Sequence, residues 1–142
     1  MSHTQEPKTV LVVDDMPDIL KVLKKHLEHW GYRPVLASSG EEALAMAAAH
    51  HPDLILLDIL MPAMKGREVC ARLKADPATK HIPVIFLTAL GLADHVKAGL
   101  ELGADDYVIK PFKAADLRER IKVCLLRAAS HAQRQTTHSA GG

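Results

Sequence analysis

Five polar residues stand at the ends of short apolar segments, where a buried strand would reach the edge of a sheet. They are Asp14, Asp15, Asp58, Thr88 and Lys110. Because the carboxyl ends of parallel strands open into one crevice, side chains that are distant in sequence can converge there. Three carboxylates, a hydroxyl and an amine in one small site can hold a divalent cation and a phosphoryl group, and little other chemistry accounts for all five.

The segments that must position these residues alternate between strand-like and helix-like patterns. The strand-like segments are short and rich in Val, Ile and Leu, at residues 9–13, 33–37, 54–57, 84–87 and 107–109. The helical patterns lie at residues 17–30, 39–50, 66–75, 93–102 and 114–129. Central strands that are apolar throughout are typical of a parallel sheet covered on both faces. We therefore expect a flavodoxin-like (βα)5 three-layer sandwich with parallel strand order 2-1-3-4-5, which makes the first and third strands neighbours.

The composition excludes several classes of protein. With 142 residues and a hydrophobic fraction of 48%, the chain suits one globular domain. A formal net charge of +1 provides no overall field that would attract nucleic acid or an anionic membrane. The start of the chain lacks the apolar core of a signal peptide, and no apolar run approaches the length of a membrane span. We expect a cytoplasmic protein that contacts neither nucleic acid nor membrane directly.

Residues 8–128 are predicted to form the folded domain. Residues 1–7 are an expected N-terminal extension, and residues 129–142 an expected disordered tail, because the tail lacks apolar periodicity and ends in small residues. Cys70 and Cys124 fall in helical patterns and not in a CxxC motif, so we expect reduced thiols.

Four motifs surround the five polar residues. In chain order they read VLVVDDMPDIL, PDLILLDILMPAMKG, IPVIFLTA and GADDYVIKPF. A pair of adjacent acids alone would be a weak signal, but the four motifs together are specific. Across residues 8–128 the chain resembles the receiver domain of two-component response regulators and is similar to the chemotaxis response regulators.

The resemblance implies that Asp58 accepts a phosphoryl group from a histidine kinase, a histidine phosphotransfer protein or a small phosphodonor. It also implies Mg²⁺ (or Mn²⁺) bound by Asp15, Asp58 and the backbone carbonyl of Leu60, with Asp14 acting through water. The residue chemistry agrees, because neighbouring carboxylates repel one another and a divalent cation with oxygen ligands keeps them ionised. No residue is assigned to an organic cofactor.

The resemblance further assigns Lys110, Thr88 and the backbone amide of Ala89 to the phosphoryl oxygens, which they would neutralise and orient. It implies a cis peptide bond between Lys110 and Pro111. On phosphorylation Thr88 would move toward the phosphate and Tyr107 would turn inward.

This switch would alter the surface formed by the predicted helices at residues 93–102 and 114–129 and by the strand between them. A downstream protein target, or a second copy of the chain on phosphorylation, would bind that surface. The protein would be a phosphoacceptor with some self-dephosphorylation and not a turnover enzyme.

Several alternatives stay open at this point. Asp14 and Asp15 could simply cap a helix, and Tyr107 could only pack. The chain could be a stand-alone regulator, or the receiver of a longer response regulator or hybrid kinase. An Asp-dependent phosphohydrolase is less favoured, because the residues after Asp58 do not match a DxDxT motif. A flavodoxin-like nucleotide binder is disfavoured by the acids after the first strand, which would repel a phosphate. His26 and His29 have helical spacing that could bind zinc, but no partner ligands complete a site.

Overall fold

Five strands and four helices make up the part of the chain that the computed structural model describes, residues 6–59, 61, 66–89 and 103–141. The strands are β1 (Thr9–Val13), β2 (Arg33–Ala37), β3 (Leu54–Asp58), β4 (Val84–Ala89) and β5 (Asp106–Lys110). The helices are α1 (Pro17–His29), α2 (Gly40–His50), α3 (Gly66–Ala75) and α4 (Ala114–Gly141). The helix predicted at residues 93–102 lies outside the described residues.

The strands form one parallel sheet in the order β2-β1-β3-β4-β5, which confirms the predicted topology. Val13, the last residue of β1, pairs with Ala37 of β2 on one side and with Leu57 of β3 on the other. The chain places β2 on one side of β1 and β3 on the other. At this change of side a crevice opens beyond the carboxyl ends of β1 and β3.

Helices cover both faces of the sheet, and each face has its own apolar cluster. Successive side chains of a strand point to opposite faces, so alternate strand residues enter different clusters. The cluster under α2 and α3 contains Leu11, Val13, Ile55, Leu57 and Phe86. The cluster under α1 and α4 contains Val10, Val12, Leu54, Leu56 and Leu87. All ten of these strand side chains are fully buried, which is why the central strands are apolar at every position.

The first two helices begin and end where their sequences predict. Pro17 occupies the first turn of α1, and Gly31 follows the helix with a positive φ of 88°. At α2 the Ser39 hydroxyl accepts a hydrogen bond of 3.1 Å from the amide of Glu42. The Glu42 carboxylate in turn accepts one of 2.6 Å from the amide of Ser38, so two amide groups are satisfied at this end of the helix.

The prediction that the last helix ends at Ala129 is wrong. The helix α4 begins at Ala114 as predicted but continues to Gly141, so the segment expected to be a disordered tail is helical as far as that residue. Apolar periodicity reports packing against a core, whereas a helix without such a stripe needs only residues that tolerate the conformation, and no proline interrupts this segment. Although α4 has 28 residues, neither it nor any other helix in the described ranges is long and apolar enough to cross a membrane.

Both cysteines are free and buried, on opposite sides of the sheet. Cys70 belongs to the cluster under α2 and α3, and Cys124 to the cluster under α1 and α4. Burial disfavours the thiolate and raises the pKa of Cys70 and of Cys124 to about 11. Neither thiol is therefore activated as a nucleophile at neutral pH.

The raised thiol pKa values predict a loss of stability in alkali. The folded state holds both protons more tightly than the unfolded state does, so the stabilisation is complete below about pH 9 and is lost as the pH rises toward 11. We expect the free energy of unfolding to fall by about 1.4 kcal/mol per pH unit for each thiol within that window. Urea unfolding between pH 8 and 10.5 measures the slope, and Cys124→Ala should remove about half of the thiol contribution. Equal slopes for the wild type and a variant lacking both cysteines would contradict the prediction.

Candidate functional site

Three carboxylates meet at the crevice beyond β1 and β3. Val13 and Leu57 are paired across the two strands, and Asp14 and Asp58 are the residues that follow them. One carboxylate oxygen from each of Asp14, Asp15 and Asp58 lies within 4.8 Å of the other two. The strand order thus brings Asp58 next to the adjacent pair Asp14 and Asp15, from which it is remote in the sequence.

The first two acids of this group have different environments. The side chain of Asp14 is completely buried, and its Oδ1 atom accepts a hydrogen bond of 3.0 Å from the amide of Met16. Its own amide donates to the carbonyl of Ala37 at the end of β2, so its backbone is held as well. Asp15 is exposed, with its carboxylate at the solvent side of the group. The group therefore has a rigid inner acid and an outer acid that water can reach.

Lys110 supplies a positive charge to this site. It is the last residue of β5, and its Nζ atom donates a hydrogen bond of 2.8 Å to Oδ2 of Asp14. The same atom lies 3.7 Å from Oδ1 of Asp58. The sequence predicts that Lys110 faces the phosphoryl group but does not predict its contact with Asp14. A buried carboxylate needs a partner of opposite charge, and that requirement is the signal by which the pair could have been found.

Thr88 lies beside the acids on the next strand of the sheet. Asp58 pairs with Leu87 of β4, so Thr88 stands one residue beyond that pair, and its side chain is buried. Thr88 in turn pairs with Ile109 of β5, and Ala89 pairs with Lys110. Thr88, one residue before the end of β4, and Lys110, the last residue of β5, therefore lie near the carboxyl ends of neighbouring strands.

Two further predicted positions lie on or just after β5. The peptide bond between Lys110 and Pro111 is cis, the geometry expected from the sequence. Tyr107 pairs with Phe86 of β4 and packs, partly buried, against the cluster under α2 and α3. Leu60, whose carbonyl is the remaining predicted metal ligand, lies outside the described residues.

Gly66 packs against the backbone of Asp58, a role that the sequence analysis did not predict. Its amide donates a hydrogen bond of 3.0 Å to the carbonyl of Ile59, and a β-carbon at Gly66 would overlap the carbonyl oxygen of Asp58 and stand 2.7 Å from Cα of Ile59. Helix α3 can begin directly against the end of β3 because this residue has no side chain. The only signal in the sequence is a glycine at the first position of a predicted helix.

One histidine of α1, His26, packs against an aromatic ring. His26 stacks on Trp30, with 5.3 Å between ring centroids and 11° between ring planes. Arg118 of α4 lies 5.9 Å from the centroid of the Trp30 ring. These contacts join the end of α1 to α4 on the face that carries both helices.

Comparison with known proteins agrees with this geometry. A family model described as "Response regulator receiver domain" matches residues 10–122. The chain is 45% identical over 135 residues to the probable transcriptional regulator ycf27 of Cyanophora paradoxa, covering 94% of this chain and 54% of that protein. It is 44% identical over 120 residues to the phosphate regulon transcriptional regulatory protein PhoB of Pseudomonas aeruginosa, covering 84% and 52%. The chain thus spans about half the length of these curated relatives.

Solved structures show the same architecture. A response regulator receiver domain protein (CheY-like) from Methanospirillum hungatei superimposes with a TM-score of 0.83 at 31% identity, covering 88% of this chain and 98% of that one. The chemotaxis protein CheY4 of Vibrio cholerae superimposes with a TM-score of 0.79 at 30% identity, covering 83% and 98%.

The contact between Gly66 and Asp58 predicts that Gly66→Ala damages both stability and the site. In an ordinary helix this change would stabilise by up to about 1 kcal/mol, but here the added methyl group must push the backbone of Asp58 away, at a cost of about 1–3 kcal/mol. We expect a lower free energy of unfolding, measured by urea denaturation, and weaker Mg²⁺ binding, measured by titration calorimetry.

Gly31→Ala provides the control for this variant. It also costs about 1 kcal/mol or more, because Gly31 has a positive φ, but nothing lies within 4 Å of its added β-carbon. Its Mg²⁺ affinity should match that of the wild type. Wild-type Mg²⁺ affinity in Gly66→Ala would contradict the proposed support of Asp58.

Proposed function

This chain belongs to the response regulator receiver domain family, and from that premise we propose that Asp58 is the residue that accepts the phosphoryl group. The observation that carries the proposal is the position of Asp58 beside two other acids and the Lys110 amine, which lies 3.7 Å from its Oδ1 atom. Asp58 is buried yet ends its strand at the crevice, where a phosphodonor can approach.

The acidic group has the chemistry of a magnesium site. Mg²⁺ prefers oxygen ligands and keeps several waters, and three carboxylate oxygens within 4.8 Å of one another suit one or two direct ligands and a water-mediated one. We assign Asp15 and Asp58 as direct ligands and Asp14 as the water-mediated one, with the carbonyl of Leu60 as the remaining expected ligand. When bound, the cation would neutralise the acids and polarise the phosphoryl oxygens.

The transfer itself is a nucleophilic displacement at phosphorus. A carboxylate oxygen of Asp58 attacks, an O–P bond forms, and the N–P bond of a phosphohistidine donor breaks, so the imidazole leaves with the electron pair. Lys110 is placed to neutralise the incoming charge, because its ammonium already lies between two carboxylates. Thr88 and the amide of Ala89 end the adjacent strand and would donate to a further phosphoryl oxygen.

Lys110 changes partners in this scheme. In the free protein its short contact is with Asp14, at 2.8 Å, and the contact with Asp58 is longer. With Mg²⁺ held by the three acids, Lys110 would be free to pair with the phosphoryl group instead of Asp14. The same lysine thus compensates the buried acid before phosphorylation and the phosphate after it.

The proposed readout runs through β4 and β5. Thr88 and Tyr107 lie on adjacent paired strands, and Tyr107 is only partly buried, so its ring has room to move when Thr88 does. The surface beside β5 and α4 would then present a different shape to a protein target or to a second copy of the chain. We propose a histidine kinase or a histidine phosphotransfer protein as the phosphodonor, and no direct contact with nucleic acid by this domain.

Intact-mass analysis after incubation with acetyl phosphate and Mg²⁺ tests the acceptor. The wild type should gain one phosphoryl group, and Asp58→Asn should gain none. Asp76→Asn, which changes an exposed acid whose carboxylate accepts a local hydrogen bond from the amide of Ala78, is the matched control and should be labelled like the wild type. Lys110→Met should slow labelling by about 10²–10³-fold, the usual cost of removing one preorganised group that stabilises the transition state.

Chelation of Mg²⁺ should abolish labelling of the wild type, because the three acids then repel the incoming phosphoryl group. Equal labelling of the wild type and Asp58→Asn would show that the acceptor lies elsewhere. Steady release of phosphate from ordinary monoesters would favour an Asp-dependent phosphohydrolase instead.

A further inference from the structure

Arg120 of α4 makes a group of contacts with the start of β5 that the phosphoryl-transfer chemistry does not use. Its Nη1 atom lies 2.8 Å from the carboxylate of Asp106 and 3.1 Å from the carbonyl oxygen of Tyr107. Its Nε atom lies 3.2 Å from the carboxylate of Asp116, one helical turn earlier. These three contacts hold the guanidinium group in one place, since each uses a different direction of its planar set of donors.

The guanidinium group also lies against the aromatic ring of Tyr107. Its central carbon is 6.0 Å from the ring centroid, within the range of a cation–π contact. Burial lowers the pKa of Arg120, but the carboxylates of Asp106 and Asp116 raise it by more, so the group stays charged. The ring of Tyr107 thus has the apolar cluster under α2 and α3 on one side and a fixed cation on another.

The surroundings of this contact leave space for the ring to move. Tyr107 and Arg120 line a surface cavity of about 460 Å³ together with Pro111, Phe112, Lys113 and Asp116. A ring that leaves this cavity for the interior must give up its contact with the guanidinium group. The contacts of Arg120 with the Asp106 carboxylate and with the Tyr107 carbonyl oxygen need not change, because they involve no atom of the ring.

We propose that Arg120 is a positioning residue for Tyr107, which holds the ring in its outward position while the domain is unphosphorylated and so sets the balance of the switch. This inference rests on the proposed function, in which Tyr107 responds to phosphorylation of Asp58. It adds a residue that touches neither the phosphoryl group nor the metal. The carboxylates of Asp106 and Asp116 hold the guanidinium group in place, so Arg120 cannot move with the ring of Tyr107 when the ring turns inward.

The two tyrosines of the chain, Tyr32 and Tyr107, make the proposal measurable. In protein labelled with ¹³C on tyrosine rings, NMR should give one signal for each residue. Addition of Mg²⁺ and beryllofluoride, an analogue of the phosphoryl group, should move the Tyr107 signal of the wild type. In Arg120→Met without the analogue, we expect the Tyr107 signal to lie part of the way to that position, with the ratio of inward to outward ring changed about two- to fivefold.

Arg118→Met is the matched control. Arg118 lies two residues away on the same helix but contacts Trp30 and not Tyr107, so its loss should leave the Tyr107 signal unchanged. The Tyr32 signal reports whether Arg120→Met is folded. If that variant does not fold, Asp116→Asn, which keeps Arg120 but removes one of its carboxylates, should give a smaller shift in the same direction.

A Tyr107 signal in the folded Arg120→Met protein that coincides with that of the wild type would overturn the proposal. In the Asp116→Asn arm, used where Arg120→Met is unfolded, a wild-type signal would do the same. Failure of the proposed function looks different, because Asp58 would then gain no phosphoryl group in the mass analysis. A normal phosphoryl gain at Asp58 together with an unmoved Tyr107 signal in folded Arg120→Met would refute the role of Arg120 alone.

Discussion

A buried carboxylate next to a lysine is the interaction on which the site depends. Asp14 has no exposed side-chain surface, and burying a charge without a partner costs far more than one hydrogen bond provides. Lys110 supplies the positive partner of Asp14 from β5, the strand at the edge of the sheet. The side chain at the end of β5 must therefore reach the crevice beyond β1 and β3. The same demand for positive charge makes the acidic group suitable for a divalent cation. The stability of the free domain and its suitability for phosphoryl chemistry thus depend on the same need for positive charge beside the acids.

The rest of the fold holds the ends of the strands in place. Parallel strands buried on both faces leave the central sheet little freedom, and two separate apolar clusters hold it from above and below. Close packing extends to the proposed acceptor, since α3 begins at Gly66 in contact with the backbone of Asp58. Rigid support at the crevice is what a site needs if its charged groups must already be placed when the phosphoryl group arrives.

Strand β5 connects the site with the surface of the domain. Its last residue, Lys110, contacts the acids, while Asp106 and Tyr107 at its start contact Arg120 of α4. A change of partner at one end of a short strand can therefore reach the other end within one element. In the proposed scheme the lysine senses the phosphoryl group and the tyrosine reports it. In the same scheme Arg120 sets the balance between the outward and inward positions of the Tyr107 ring.

The amino-acid sequence by itself determined the alternation of strands and helices, the order of the sheet and the edge at which the five polar residues lie. The alternation follows from local patterns, namely apolar runs of strand length, helix caps such as Ser39, and glycines and prolines that end elements. The order of the sheet follows from the crossover rule for successive βα units. The end of α4 escaped prediction, because a helical segment without an apolar stripe has no periodic signal. The contact of Asp14 with Lys110, the fit of Gly66 against Asp58 and the placement of Arg120 on Tyr107 were decided only by the tertiary structure. Each depends on distances of a few ångströms between segments that are remote in the chain, and local sequence patterns carry no information about such distances.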